Sequence, residues 1–225
     1  MIRPLIVAID GPSGAGKSTA ARALAARLGV PYIDTGAMYR AVGLAARERG
    51  ILLPISDAEA VTALAAAARI ELVPVAGGNR VLLDGRDVSE AIREPEISLY
   101  ASAVSAISAV RRCLVAMQQR LGQERGGVME GRDIGTRVFP DTPFKFFLTA
   151  DAGVRAERRT RELAARGTPQ PYEEVLRDME KRDRDDGSRA DSPLTLDDRY
   201  VLIDSTSRPL DAVVADIEGR VRKAI

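Results

Sequence analysis

Apolar runs that read as strands alternate along the chain with Ala- and Leu-rich runs that read as helices. That order predicts an α/β protein with a mostly parallel, five-stranded core sheet covered on both faces. The first strand leads through a glycine-rich loop straight into a helix. After the second strand and its helices, short β-favouring runs around glycine-rich turns predict a small antiparallel sheet inserted into the alternation.

Residues 5–9 form a continuous apolar run, a buried strand. Residues 19–28 are rich in Ala and Leu and read as a helix, with Gly29 at its C-cap. Residues 32–34 are a short second strand, and Thr35 opens a helix to about residue 50. Ser56-Asp57-Ala58-Glu59 has the spacing of a capping box and predicts a helix to about residue 68. Residues 70–75 and 80–83 flank the hairpin signal Gly77-Gly78-Asn79, and residues 84–88 add a turn and a third short strand, so the insert spans about 69–90. One long helix is expected over 96–123, then core strands at 128–130 and 144–148. An arginine-dense helix over 151–166 precedes another over 171–183, which runs into the charged segment 181–189. A fifth strand at 200–203 and a helix over 209–224, with proline near its start, complete the pattern.

Between the first strand and its helix lies Gly11-Pro12-Ser13-Gly14-Ala15-Gly16-Lys17-Ser18-Thr19, glycine followed by four residues and then Gly-Lys-Ser. The glycines let several backbone N–H groups converge on one point, and the helix N-terminus adds partial positive charge there. Lys17 supplies a full charge for the β- and γ-phosphates, and Ser18 a hydroxyl for the accompanying magnesium. Strand, loop and helix in that order point to a bound nucleoside triphosphate rather than an ordinary glycine-rich turn.

Composition narrows the classes. With 225 residues, 45% hydrophobic and 29% charged, the chain is expected to form one compact domain with a substantial core. A net charge of +1 and 4% aromatics give no field or stacking surface for nucleic acid. No apolar stretch is long enough for a membrane span, and no signal peptide is evident. The single cysteine, Cys113, excludes an intrachain disulfide and reads as core filler, which suits a reducing cytoplasm. The chain has no histidine, so histidine-based catalysis and histidine metal sites are excluded. Its one asparagine, Asn79, is followed by Arg80, so the guanine-reading Asn-Lys-x-Asp motif of switch GTPases is absent. A small-molecule kinase is favoured, and a monomer is expected.

Arg40, Arg132, Arg182 and Arg189 offer guanidinium groups that match phosphate oxygens. One set would hold an acceptor phosphate and another would stabilise charge on the transferred group. A phosphate acceptor, with a second pKa of about 6, is already nucleophilic at neutral pH and needs no general base. A nucleotide kinase, a kinase for another small acceptor, and a regulatory module that binds or slowly hydrolyses ATP all remain open at this level.

The blocks 9–17, 34–40 (Asp34-Thr35-Gly36-Ala37-Met38-Tyr39-Arg40), 83–89, 131–136 (Gly131-Arg132-Asp133-Ile134-Gly135-Thr136) and 138–141 together closely resemble bacterial cytidylate kinases, and the resemblance runs from residue 6 to about 207. It implies transfer of the ATP γ-phosphate to CMP or dCMP in pyrimidine nucleotide metabolism. It also implies a three-layer α/β/α P-loop kinase: core 1–34, 103–150 and 198–225, a monophosphate-binding region with the insert at 35–102, and a helical lid at about 155–192. On this resemblance residues 11–19 and Arg158 bind ATP, and Ser18 meets Mg2+. Lys17, Arg132, Arg182 and Arg189 carry catalysis. Ser102, Arg111 and Asp133 read cytosine, whose amino group suits a carboxylate and whose ring nitrogen and carbonyl suit an arginine. Arg40, Arg132 and Arg189 take the acceptor phosphate, Arg182 and Asp186 the ribose, with Asp185 as the alternative to Asp186. Thr35 and Tyr39 complete the CMP set, Thr35 keeping the hydroxyl of the serine found in many relatives. Glu130 stands where relatives often carry aspartate, and its role near the magnesium is left open.

Overall fold

The computed structural model describes residues 4–224. In chain order the elements are β1 (Ile6–Asp10), α1 (Lys17–Leu28), β2 (Tyr32–Asp34), α2 (Thr35–Glu48), α3 (Ala58–Ala67), β3 (Ile70–Val75), β4 (Gly78–Leu83) and β5 (Arg86–Asp87). They continue with α4 (Pro95–Ser105), α5 (Ser108–Arg125), β6 (Gly127–Gly131), β7 (Phe144–Thr149), α6 (Ala152–Ala165), α7 (Tyr172–Gly187), β8 (Val201–Asp204) and α8 (Leu210–Arg222). The strand order β2-β6-β1-β7-β8 gives the expected five-stranded sheet, and β3-β4-β5 the small second sheet. β7 runs parallel to both β1 and β8, whereas β4 runs antiparallel to β3 and to β5. The described residues divide into two compact units, one of residues 4–5 and 31–127, the other of 6–30 and 128–224.

In the second unit every residue of β1 is buried, as are the first five of β7, so both strands are covered on both faces. Their register pairs Ile9 with Phe146 and Asp10 with Phe147. The following residue, Gly11, has φ +144°, and a Cβ there would lie 2.0 Å from the carbonyl oxygen of Leu148, so the loop leaves the sheet where only glycine passes. α6 and α7 share a small core of Ala156, Leu163, Val175 and Met179. α7 extends past the expected residue 183 to Gly187, because Lys181 and Asp185 form an i,i+4 pair at 2.9 Å that carries the charged segment on as helix.

In the first unit the expected helix over 96–123 is two helices, α4 and α5, bent by 100°. The Ser105 hydroxyl donates to the carbonyl of Ser102 at 2.7 Å, and Ile107 is extended (φ −84°, ψ 109°), so serine competition with the backbone ends the first helix. The helix expected after Ser56 starts one residue later, because the Asp57 side chain is the one that caps it, accepting from Ala60 N at 2.8 Å. Cys113 is half-buried in α5. No single helix among the described residues is long and apolar enough to cross a membrane.

Candidate active site

The loop between β1 and α1 is held from both ends. Gly14 is packed under the α6 and α7 helices, where a Cβ would meet Met179 Cε at 2.7 Å and the Arg155 carbonyl at 3.0 Å. Arg155, buried on α6, donates to the Ser13 carbonyl at 3.0 Å, to the Ala150 carbonyl at 2.9 Å and to Asp183 of α7 at 2.5 Å. Arg158, one turn further on, donates to the hydroxyl and carbonyl of Ser205, and the Ser205 hydroxyl donates to the Ala15 carbonyl at 3.0 Å. Arg158 thus reaches the loop through Ser205, and Arg155, which the sequence reading did not single out, touches it directly.

Lys17, Ser18 and Thr19 open α1, with Gly16 as N-cap. Lys17 is buried and its Nζ donates to the Pro12 carbonyl at 2.6 Å. Burial, reinforced by the positive charges of Arg132 and Arg182, pushes its pKa down to about 7 against the opposing pull of Glu130 and Asp10. Ser18 and Thr19 are exposed at the helix start, and the Ser18 hydroxyl donates to Glu130 Oε2 at 2.9 Å. Glu130, whose role near the magnesium the sequence leaves open, is buried near the end of β6. Hydroxyl and carboxylate together offer the hard oxygen ligands that magnesium takes alongside substrate phosphates. No cluster of three or more His, Cys, Asp or Glu side chains suited to a metal occurs among the described residues, so a magnesium ion held here would rely on the nucleotide and on water for the rest of its ligands.

A knot of charge lies beyond β6. Arg132 Nε donates to Asp186 Oδ2 at 2.8 Å, and Arg189 donates to Asp186 Oδ1. Asp186 is only 1% exposed. Burial works against its charge, but Arg132, Arg189 and Arg182 hold its carboxyl below the usual range. Of the two candidate aspartates in this segment, Asp186 is the inward one; Asp185 is exposed and paired with Lys181. Arg182 is half-buried on the same helix. Asp133 is buried and leads into a π-helical turn, Ile134–Val138, in which Phe139 N donates to the Ile134 carbonyl at 2.7 Å.

The first unit gathers a second group. Asp34 caps α2, accepting from Ala37 N at 2.9 Å, and its other oxygen accepts from Arg40 at 2.8 Å. Thr35 is the buried first residue of the helix. The Arg111 guanidinium lies 5.4 Å above the Tyr39 ring centroid and donates to the Ser105 carbonyl at 3.3 Å, within one turn of Ser102. Arg111 is 2% exposed, so it is a buried cation held by a ring face and a carbonyl. Thus Tyr39 and Arg111 come together, as do Arg40 and Asp34, and Arg132, Asp186 and Arg189.

Comparison with known proteins identifies the family. The family model described as cytidylate kinase matches residues 7–223. A cytidylate kinase of Syntrophotalea carbinolica is 49% identical over 214 residues, covering 95% of this chain and 90% of that one. One from Caldanaerobacter subterraneus subsp. tengcongensis is 49% identical over 217 residues, covering 96% and 94%. A bifunctional pantoate ligase/cytidylate kinase of Synechococcus sp. is 49% identical over 206 residues, 90% of this chain but 38% of that protein. Among solved structures, an uncharacterized protein from Eubacterium ventriosum shares the fold with TM-score 0.54 at 13% identity, covering 98% of this chain and 99% of that one. With the phosphate loop, the arginine cluster and a match over nearly the whole length, this chain belongs to the cytidylate kinase family.

Proposed function

We propose that the chain transfers the γ-phosphoryl group of ATP to CMP or dCMP, giving CDP or dCDP and ADP. The observation that carries the reading is Asp186, a buried carboxylate that already holds Arg132 and Arg189 side by side. Paired guanidinium groups fixed in advance are what phosphoryl transfer asks of a protein, since its catalysis is positioning and charge stabilisation.

An oxygen of the acceptor phosphate attacks the γ-phosphorus, the bond from that phosphorus to the β-γ bridging oxygen breaks, and ADP leaves with the electron pair. The acceptor dianion needs no base, which suits a chain without histidine. Lys17 and the arginines at 132, 182 and 189 offset the charge that spreads over the transferred group. Ser18 and Glu130 would hold Mg2+, which when bound neutralises charge on the β- and γ-phosphates. Arg40, aimed by Asp34, is the acceptor-phosphate residue of the first unit. On the family resemblance Ser102, Arg111 and Asp133 are assigned to the base. Uracil would present a carbonyl where cytosine presents an amino donor and would face the Asp133 carboxylate with two acceptors.

The test is ADP release from ATP and magnesium with CMP, dCMP, UMP, AMP or GMP added separately. Rapid turnover with CMP and dCMP and little with the others is expected. Rapid turnover with a different monophosphate keeps the kinase and discards the cytosine reading. No stimulation by any of them leaves a nucleotide-binding module without an acceptor.

A further inference from the structure

Asp10 is fully buried at the end of β1 and takes no part in the chemistry above. The next residue, Gly11, opens the phosphate loop. The Asp10 carboxylate spans to the turn that follows Arg132 and Asp133. Its Oδ1 accepts from Ile134 N at 2.9 Å, and its Oδ2 accepts from Gly135 N at 2.8 Å and from the Tyr200 hydroxyl at 2.7 Å. These two successive amides open the π-helical turn, and Asp133 is the residue that leads into it.

Tyr200 is itself fixed. It is buried, and its ring stands edge-on to Phe147 with centroids 6.0 Å apart. Its hydroxyl lies 2.7 Å from where a Cβ on residue 135 would be, so the phenol closes against the bare backbone of Gly135.

The chemistry of the site calls for a carboxylate. Here the two neighbouring amides take one carboxylate oxygen each, and a charged acceptor strengthens each bond. An asparagine would offer one oxygen and aim an N–H2 group at the second amide. An apolar residue would leave two buried amides without a partner and take the carboxylate acceptor from the Tyr200 hydroxyl. Burial pushes the Asp10 pKa up to about 6 while the amides and Tyr200 pull it down, so at pH 7.5 it carries the charge that the turn requires.

We infer that Asp10, braced by Tyr200, is a positioning residue that aims Arg132 and Asp133 and ties that aim to the phosphate loop through the adjoining Gly11. The turn is thereby set from the root of the loop, while the loop itself is held independently by Arg155 and by Arg158 through Ser205. The inference rests on the reading of Asp133 as the base-selecting carboxylate.

The test compares wild type with the variants Tyr200→Phe, Asp10→Asn and Asp133→Ala. The readouts are kcat/KM for CMP and for UMP, and the Kd of a non-hydrolysable ATP analogue. Tyr200→Phe keeps the ring and its contact with Phe147 and removes only the hydroxyl, so it serves even if Asp10→Asn fails to fold. Loss of a hydrogen bond to a charged group predicts about a tenfold fall in kcat/KM for CMP in each, mostly through KM. The CMP-over-UMP preference narrows by a similar factor, while ATP-analogue binding stays within about threefold. A strut that merely stabilised the fold would leave the preference unchanged. If Asp133→Ala relaxes the preference and folded Tyr200→Phe does not, the positioning role is overturned and the reading of Asp133 stands. If Asp133→Ala itself leaves the preference unchanged, the base reading falls and this inference falls with it.

Discussion

Lys17 should take up a proton when ATP binds at alkaline pH. In the ligand-free protein its ammonium is buried, bonded to one carbonyl and crowded by Arg132 and Arg182, and its pKa sits near 7 rather than 10.5. A triphosphate brings several negative charges to the same point and restores the ordinary preference for the charged form. At pH 6 the lysine is already protonated and binding moves little. At pH 8.5 most of it is neutral before binding, so close to one proton is taken up per ATP. Affinity then falls with pH above 7, approaching about tenfold per unit, which is about 1.7 kcal/mol between pH 7 and 8.5. The assay is calorimetric titration with a non-hydrolysable ATP analogue in buffers of different ionisation enthalpy. The slope of observed heat against buffer enthalpy gives the proton count at each pH. The same shift has a sign in folding: between about 7 and 10.5 the unfolded chain binds the proton that the native one has released, so this group's contribution to stability rises with pH there. Zero proton uptake at pH 8.5, with binding intact, would show Lys17 to be charged in the free protein and would refute the argument.

Three other perturbations test separate parts of the site. Asp186→Ala leaves the guanidinium groups of Arg132 and Arg189 facing each other and should cost about 3–5 kcal/mol in urea unfolding at neutral pH. Its carboxyl titrates below the unfolded value of 3.8, so the difference between wild type and variant should shrink as pH falls through and below that value. Gly14→Ala places a Cβ 3.0 Å from the Arg155 carbonyl at a φ of +72°; about 1–2 kcal/mol of stability and at least about tenfold in ATP-analogue affinity should be lost, read by thermal unfolding and titration. Asp133→Ala should impair CMP use far more than ATP-analogue binding, and an equal loss of both would remove its base-reading role.

The phosphate loop was legible in sequence because its chemistry is local: glycines, a lysine and a hydroxyl within nine consecutive residues. The alternating strands and the small antiparallel sheet were legible for the same reason, each strand announcing itself by its own run of residues. What escaped was non-local or depended on competition. Helices α4 and α5 share one apolar pattern, and only the serine-to-backbone bond at residue 105 and the extended Ile107 separate them. Arg155 and Arg158 lie three residues apart in an arginine-dense helix, and nothing in that spacing says which one touches the loop. Asp10 and Tyr200 are 190 residues apart, and their bond exists only once β1 and the start of β8 are in place. Glu130 could be placed at a strand end but not opposite Ser18, since that meeting depends on how α1 and β6 pack.

The approach of Leu148 to Gly11 has a consequence for how this chain can change over time. The obstruction is a backbone carbonyl of β7, so no change of side chain at 148 relieves it. The restriction comes from strand pairing and makes no reference to a nucleotide. A descendant that ceased to handle ATP would therefore keep Gly11 for as long as it kept the sheet. Lys17 would have the opposite fate: without a triphosphate to answer it, a buried, half-titrated ammonium is a liability to the fold, and a neutral side chain there would be an improvement. In a lineage losing activity, the lysine should vanish first and the glycine last, although in the motif the two appear equally diagnostic.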